Sequence, residues 1–187
     1  MKQCLKDISE IRLGYLPRKE TSGIPNARII LPKDIDEFNC LNLGNTNDIH
    51  LDTPEKHSIG DGEVLLLSRG RYAATVFHCV DDAKYVASSL YFRLIVKSRT
   101  AFPEYVALYL NSEEGKRKLE KLSSSFMIRA INKAQIEDFE IPIIPLGTQK
   151  KLVELYTESQ KWNALRLKQT QLWENLINKI ISKNTGK

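Results

Sequence analysis

An α+β domain, with a mixed or antiparallel sheet and short helices, extended at its C-terminus by one long α-helix, is the fold class this sequence predicts. Three observations predict it. Residues 1–100 alternate short apolar runs with turns rich in Gly, Pro, Asn and Asp. Helical periodicity begins only after Pro103. From Thr148 to Thr185 neither Gly nor Pro interrupts the chain. A helix of roughly 35 residues would be about 50 Å long, which exceeds what the core of a small domain can cover. The expected division is a domain over 1–146 and a helical extension over 147–187.

Ala27 to Leu31 is a brief apolar run closed by Pro32, and a polar loop rich in Asn and Asp follows it through His50. Glu63 to Ser68 reads as a second strand, fed by the turn Gly60-Asp61-Gly62. Tyr72 to Val80 is a third, and Gly70 marks a turn between the two. Tyr85 to Val96 contains a fourth, with Leu90, Phe92, Leu94 and Val96 alternating onto one face. Pro103 suits a first helical position, and Val106, Tyr109 and Leu110 mark that helix's apolar face. Asn111-Ser112 followed by Glu113 and Glu114 predicts a fresh N-cap and a restarted, strongly basic helix, GKRKLEKL. Asn132 predicts the cap of a short helix ending near Phe139. An apolar strand from Ile141 to Ile144, interrupted by Pro142, ends at Pro145, and Thr148 is the predicted N-cap of the long helix.

Charge narrows the function. The net charge is +5, but residues 1–92 carry 11 Lys/Arg against 13 Asp/Glu, whereas residues 93–133 carry nine against four and residues 148–187 eight against three. Localised basic segments fit a polyanion-facing surface, because phosphate neutralisation dominates nucleic-acid affinity; they equally fit solvated helix faces. No apolar stretch approaches the ~20 residues of a membrane span, and MKQCLKDISE lacks a signal-peptide core. Cys4, Cys40 and Cys79 are odd in number and far apart, so they read as buried or incidental thiols in a reducing compartment. The expected location is the cytoplasm.

Catalytic signatures are missing. There is no Asn- or Asp-Pro-Pro-Tyr tetrapeptide, no Gly-rich S-adenosylmethionine loop and no Walker A sequence. His50, His57 and His78 lack metal-ligand spacing, and His78 beside Cys79 in an apolar run reads as core. Glu104, Glu114 and Lys116 space superficially like a nuclease carboxylate–lysine set, but they fall in helical sequence. No metal site, no cofactor and no enzyme activity are expected. The stretch Arg69-Gly70-Arg71-Tyr72 is more informative: a glycine turn there would display two arginines and a tyrosine together, suited to guanine edges, phosphates or sugars, unless it is a hairpin with solvated arginines.

The long helix carries Leu152, Leu155, Tyr156, Trp162, Leu165, Leu172, Trp173, Leu176, Ile177, Ile180 and Ile181, mostly at spacings of three and four. So much apolar surface must pack against something: a second long helix, a partner protein, or the chain's own domain.

In order along the chain, several segments resemble one family. They are LKDISEIRLGY, ARIILPKDI, SIGDGEVLLLSRGRYAATVF, FPEYVALYLNSEEGKRKL, SSSFMIRAINKAQIEDFEIPIIPLGTQ, and the Pro-Leu-x-x-Gln approach to the helix. Together they resemble the target-recognition domain and helical region of specificity (S) subunits of Type I restriction–modification systems. Gly62 and Glu63 lengthen the usual Gly-Asp turn, and Gly147 stands where an acidic residue is commoner.

The resemblance implies a half-length S subunit, with one recognition domain and one helix where a full S subunit has two of each. It implies a homodimer reading a two-part double-stranded DNA site. Its partners would be a DNA adenine methyltransferase (M) subunit holding S-adenosylmethionine and a restriction (R) subunit. On this reading Arg69, Arg71, Tyr72, Ser124, Ser125, Arg129 and Lys133 face DNA, and Lys116, Arg117 and Lys121 contact phosphates. Leu155, Trp162, Leu165, Leu172, Trp173, Leu176 and Ile180 form the helix interface. The alternative is an interaction module that binds a methyltransferase without reading DNA, or an orphan fragment or recombination cassette.

Overall fold

The computed structural model describes residues 1–16, 23–123 and 130–185. In chain order the elements are β1 (Lys2–Cys4), α1 (Leu5–Ile8), β2 (Ser9–Leu13), β3 (Ala27–Ile30), β4 (Asn47–Ile49), α2 (Pro54–His57), β5 (Val64–Leu67), β6 (Ala74–Val76), β7 (Tyr85–Ala87) and β8 (Tyr91–Val96). Then come α3 (Pro103–Asn111), α4 (Glu113–Leu122), α5 (Lys133–Glu137), β9 (Glu140–Pro142) and α6 (Leu146–Thr185). The fold is α+β, as expected.

Three sheets share the strands. An antiparallel four-stranded sheet runs β2-β8-β5-β6, a mixed three-stranded sheet runs β4-β3-β7, and β1 pairs with β9. The central β5 is buried along its whole length. Its alternation sends Val64 and Leu66 into a core with Val106, Leu110, Leu119, Ile136 and Ile141, while Leu65 and Leu67 enter a second core with Ile30, Phe77, Tyr85 and Tyr91. A sheet covered on both faces explains why EVLLLS reads as an unbroken apolar run.

On the face of the second core, opposite Leu65, Arg93 is buried against Glu63. Its Nε and Nη2 donate to the carboxylate at 2.8 and 2.9 Å, and its other donors reach the carbonyls of His57 and Ser58. Glu63 also accepts from Gly60 N–H at 2.7 Å. The pair therefore fixes the Gly60–Gly62 turn from inside.

Several local expectations differ in detail. The run Tyr85–Val96 is two strands in two sheets, because Tyr91 N–H turns back onto Ser88 O and Ser88 N–H bonds Ile30 O. The early glycine has a steric cause: a Cβ on Gly14 would lie 1.9 Å from Ser88 O. His78 and Cys79 are exposed rather than core, since β6 ends at Val76. Ser112 does cap α4, accepting from Gly115 N–H, and Asn132 and Gln135 form a reciprocal capping box on α5. The long helix begins at Leu146, not after Thr148. Pro145 O accepts from Thr148 and Gln149 N–H, so Thr148 lies in the first turn and is not the cap. At 40 residues it extends about 60 Å. Among the described residues no helix is long and apolar enough to cross a membrane.

Candidate nucleic-acid interface and helix surface

β5 ends in a turn that Gly70 makes possible. Its φ of 81° is the left-handed region, which side chains with a Cβ rarely adopt. Beyond the turn the two arginines separate in role. Arg69 is exposed, and its backbone bridges Ala130, while Ile131 N–H bonds Ser68 O at 2.9 Å. Arg71 has an exposed stem, but its guanidinium donates to the carbonyls of Ile35 (2.9 Å) and Asp36, tethering that loop.

Tyr72, expected on display beside them, is instead 3% exposed and belongs to the larger core. Strand alternation past the turn sends it inward. Its hydroxyl has no hydrogen-bond partner among the described residues. As placed, Tyr72 cannot reach a ligand.

The Arg69–Ala130 bridge ties this turn to the segment that leads into α5. Ser124, Ser125 and Arg129 lie outside the described residues. The Gln135 amide donates to Leu122 O at 2.7 Å, joining the start of α5 to the end of α4. Lys116, Arg117 and Lys121 are exposed on α4, whose inner side is anchored by the buried Leu119. Lys133 is exposed and pairs with Glu137 at 3.5 Å. Lys118, which sequence reading passed over, is occupied structurally: it donates to Tyr109 Oη at 2.6 Å, pairs with Glu114 at 2.9 Å and lies over the Tyr109 ring. These contacts raise the Lys118 pKa and lower that of Glu114, the hydrogen bond with Tyr109 leading for Lys118 and that with Lys118 leading for Glu114.

Glu104 is on α3, whereas Glu114 and Lys116 are on α4, where Glu114 is held by Lys118 and Tyr109. No cluster of His, Cys, Asp or Glu suited to a metal occurs among the described residues.

The second surface is α6. Gln149 is buried, and Val153, Tyr156, Gln160 and Asn163 are half-buried against the domain. From Ala164 to Lys183 every residue is exposed. Leu155, Trp162, Leu165, Leu172, Trp173, Leu176 and Ile180 are each 47–68% exposed. At 3.6 residues per turn this stripe centres roughly 150° around the helix from the face on the domain. Packing back onto the chain's own domain therefore does not cover it.

The architecture is a sheet-and-helix head with exposed basic side chains at the Arg69 turn and on α4, joined to a projecting helix with an exposed apolar stripe. The comparisons with known proteins give the family. The Type I restriction modification DNA specificity domain matches residues 1–171, and the chain belongs to that family. Among curated proteins none matches it at a significant level.

Its fold is similar to three solved structures. The S subunit of the Type-I restriction-modification system of M. genitalium aligns with a TM-score of 0.54 at 12% identity, over 83% of this chain and 37% of that one. A chain solved in work on complex assembly and conformational transition of the type I R-M system gives 0.64 at 17%, over 94% and 42%. The HsdS subunit of Thermoanaerobacter tengcongensis gives 0.55 at 15%, over 88% and 38%. This chain thus spans about two fifths of the length of those proteins.

Proposed function

We propose that this chain is the DNA-reading specificity component of a Type I restriction–modification system, working as a two-fold homodimer in which each head reads one half of a split site. The observation that carries the reading is the convergence at one edge: the Arg69 turn, bridged to Ala130, beside the joined ends of α4 and α5. Arg69 is the first candidate for a base edge, because guanidinium donors match guanine O6 and N7. Lys116, Arg117, Lys121 and Lys133 suit phosphates, which position without specifying.

The exposed seam on α6 supports the dimer, since a second antiparallel copy of α6 would cover it and separate two heads by a fixed length. Methyltransferase subunits holding S-adenosylmethionine would dock along the paired helices, and a restriction subunit would join that assembly in the cytoplasm. Catalysis would reside in those partners.

Salt-dependent binding to a panel of duplexes tests the reading. A reader binds a subset of sequences and loses affinity steeply as salt rises. A chain that merely docks on a methyltransferase shows little duplex affinity at any salt, and that result would overturn the proposal.

A further inference from the structure

Gln149 is 0% exposed at the foot of a helix that is otherwise largely solvent-covered. Its amide makes three hydrogen bonds, all to backbone. Oε1 accepts from Phe102 N–H at 3.1 Å, while Nε2 donates to Thr100 O at 2.7 Å and to Ile144 O at 2.8 Å. Both donors are used, and the acceptor holds the residue that starts α3. One side chain thus ties together the exit of β9, the segment joining β8 to α3, and the first turn of α6.

Beyond this point α6 does not sit flush on the domain. A cleft of about 370 Å³ opens between Val153, Tyr156 and Gln160 of the helix and Leu41, Val76 and Leu108 of the domain. Past the foot the helix meets the domain through apolar packing at Val153 and then this hollow, whereas the foot carries three hydrogen bonds.

We propose that Gln149 is a positioning residue that locks the angle between recognition head and helix, and through that angle sets the spacing at which two heads meet DNA. The spacing part rests on the homodimer reading above; the angular part does not. The lever is long. From Gln149 to the middle of the apolar seam is about 30 Å at 1.5 Å per residue. A 10° change at the foot therefore moves a head by about 5 Å, more than the 3.4 Å rise of one base pair.

The amide is suited to this task in a way an apolar side chain is not. Hydrogen bonds fix direction as well as distance, and three fix an orientation. Glutamate in its place would keep the acceptor for Phe102 N–H and lose both donors. Methionine would keep the volume and lose all three bonds.

The test uses the full chain carrying spin labels at Lys56→Cys and Lys168→Cys, with Cys4, Cys40 and Cys79 replaced by serine. Labelled protein is diluted tenfold into unlabelled protein, so that only distances within one chain are read. Parent protein should give one narrow distance distribution, and Q149M and Q149E should broaden it at least twofold. Ile30→Ala, a change in the second core, which includes no residue of the foot, should lower thermal stability yet leave the distribution narrow, which separates positioning from general destabilisation.

The second arm measures binding to duplexes whose half-sites are moved by single base pairs. The parent should disfavour each one-pair change by about tenfold, and the Gln149 variants by less than threefold. A distribution as narrow as the parent's in both variants overturns the proposal. So does unchanged spacing preference in variants with broadened distances. If the parent binds no duplex, the dimeric DNA-reading proposal fails, while the distance arm still decides whether Gln149 locks the angle.

Discussion

The globular head and the outer half of α6 spend their apolar side chains in opposite ways. In the head, Leu65, Leu66, Phe92 and Leu110 are at most 2% exposed, and even a charged pair is taken inside and satisfied. On α6, Leu172, Trp173 and Leu176 stand open to solvent. The head is a finished fold. The outer helix leaves its apolar side chains exposed, and an isolated helix is marginal without packing. One chain therefore holds a unit whose apolar residues cover each other and a segment whose apolar residues stay exposed.

The largest effect should come from breaking the head alone. Arg93→Met leaves Glu63 buried without its partner, and removing one member of a buried pair costs about 3–5 kcal/mol. Denaturant unfolding followed by near-UV signal should show that loss. A shift under 1 kcal/mol would mean the pair is dispensable.

Next comes the opposite region. Leu172→Glu combined with Leu176→Glu should leave head unfolding unchanged but convert dimer to monomer in sedimentation. Central interface anchors contribute about 2 kcal/mol or more each, so the dissociation constant should rise at least ~30-fold. An unchanged mass would remove the seam as the contact.

A smaller contrast lies within the head. Arg69→Ala should cut duplex affinity about tenfold, as loss of a single base contact worth about 1–3 kcal/mol would, without altering stability. Arg71→Ala should instead lower stability by about 1 kcal/mol, because it releases the carbonyls of Ile35 and Asp36. Parallel affinity and melting measurements distinguish the two; equal losses of affinity with no melting change would return Arg71 to the DNA face.

The smallest effect is at the surface. Hydrogen bonds from Lys97 and then Arg12 hold Glu10 down to about 2 from its ordinary 4.5. A depressed carboxylate contributes above its unfolded value and loses that contribution as pH falls toward 2. Glu10→Gln should therefore melt slightly below the parent at pH 6, and the two curves should converge as pH approaches 2. A gap that persists at pH 2 would assign the effect to something other than charge.

Much of this was legible from residues alone because the signals are local. Ser112 and Asn132 announce their caps through side-chain oxygens placed beside unpaired N–H groups, and Pro103 announces α3 through its fixed φ. The strand Asn47–Ile49 was hidden inside a polar loop, because an edge strand paired on one side needs no apolar pattern. The same reasoning placed Arg69 and the basic face of α4 on the surface but misread Tyr72. A glycine turn predicts where the chain reverses, not which way the next side chain points. Gln149 was named only as part of a motif, since its three partners come from segments up to 49 residues away.

By itself the sequence determined the α+β class, the caps of α4 and α5, the long C-terminal helix and its apolar stripe, all set by periodicity and backbone chemistry within a few residues. Tertiary structure alone decided that the seam points away from the head, that Arg71 bonds the carbonyls of Ile35 and Asp36 while Arg69 stays exposed, and that the Gln149 amide is buried with three backbone partners. Those outcomes depend on distant segments meeting, and no local propensity encodes which carbonyl a guanidinium or an amide will find.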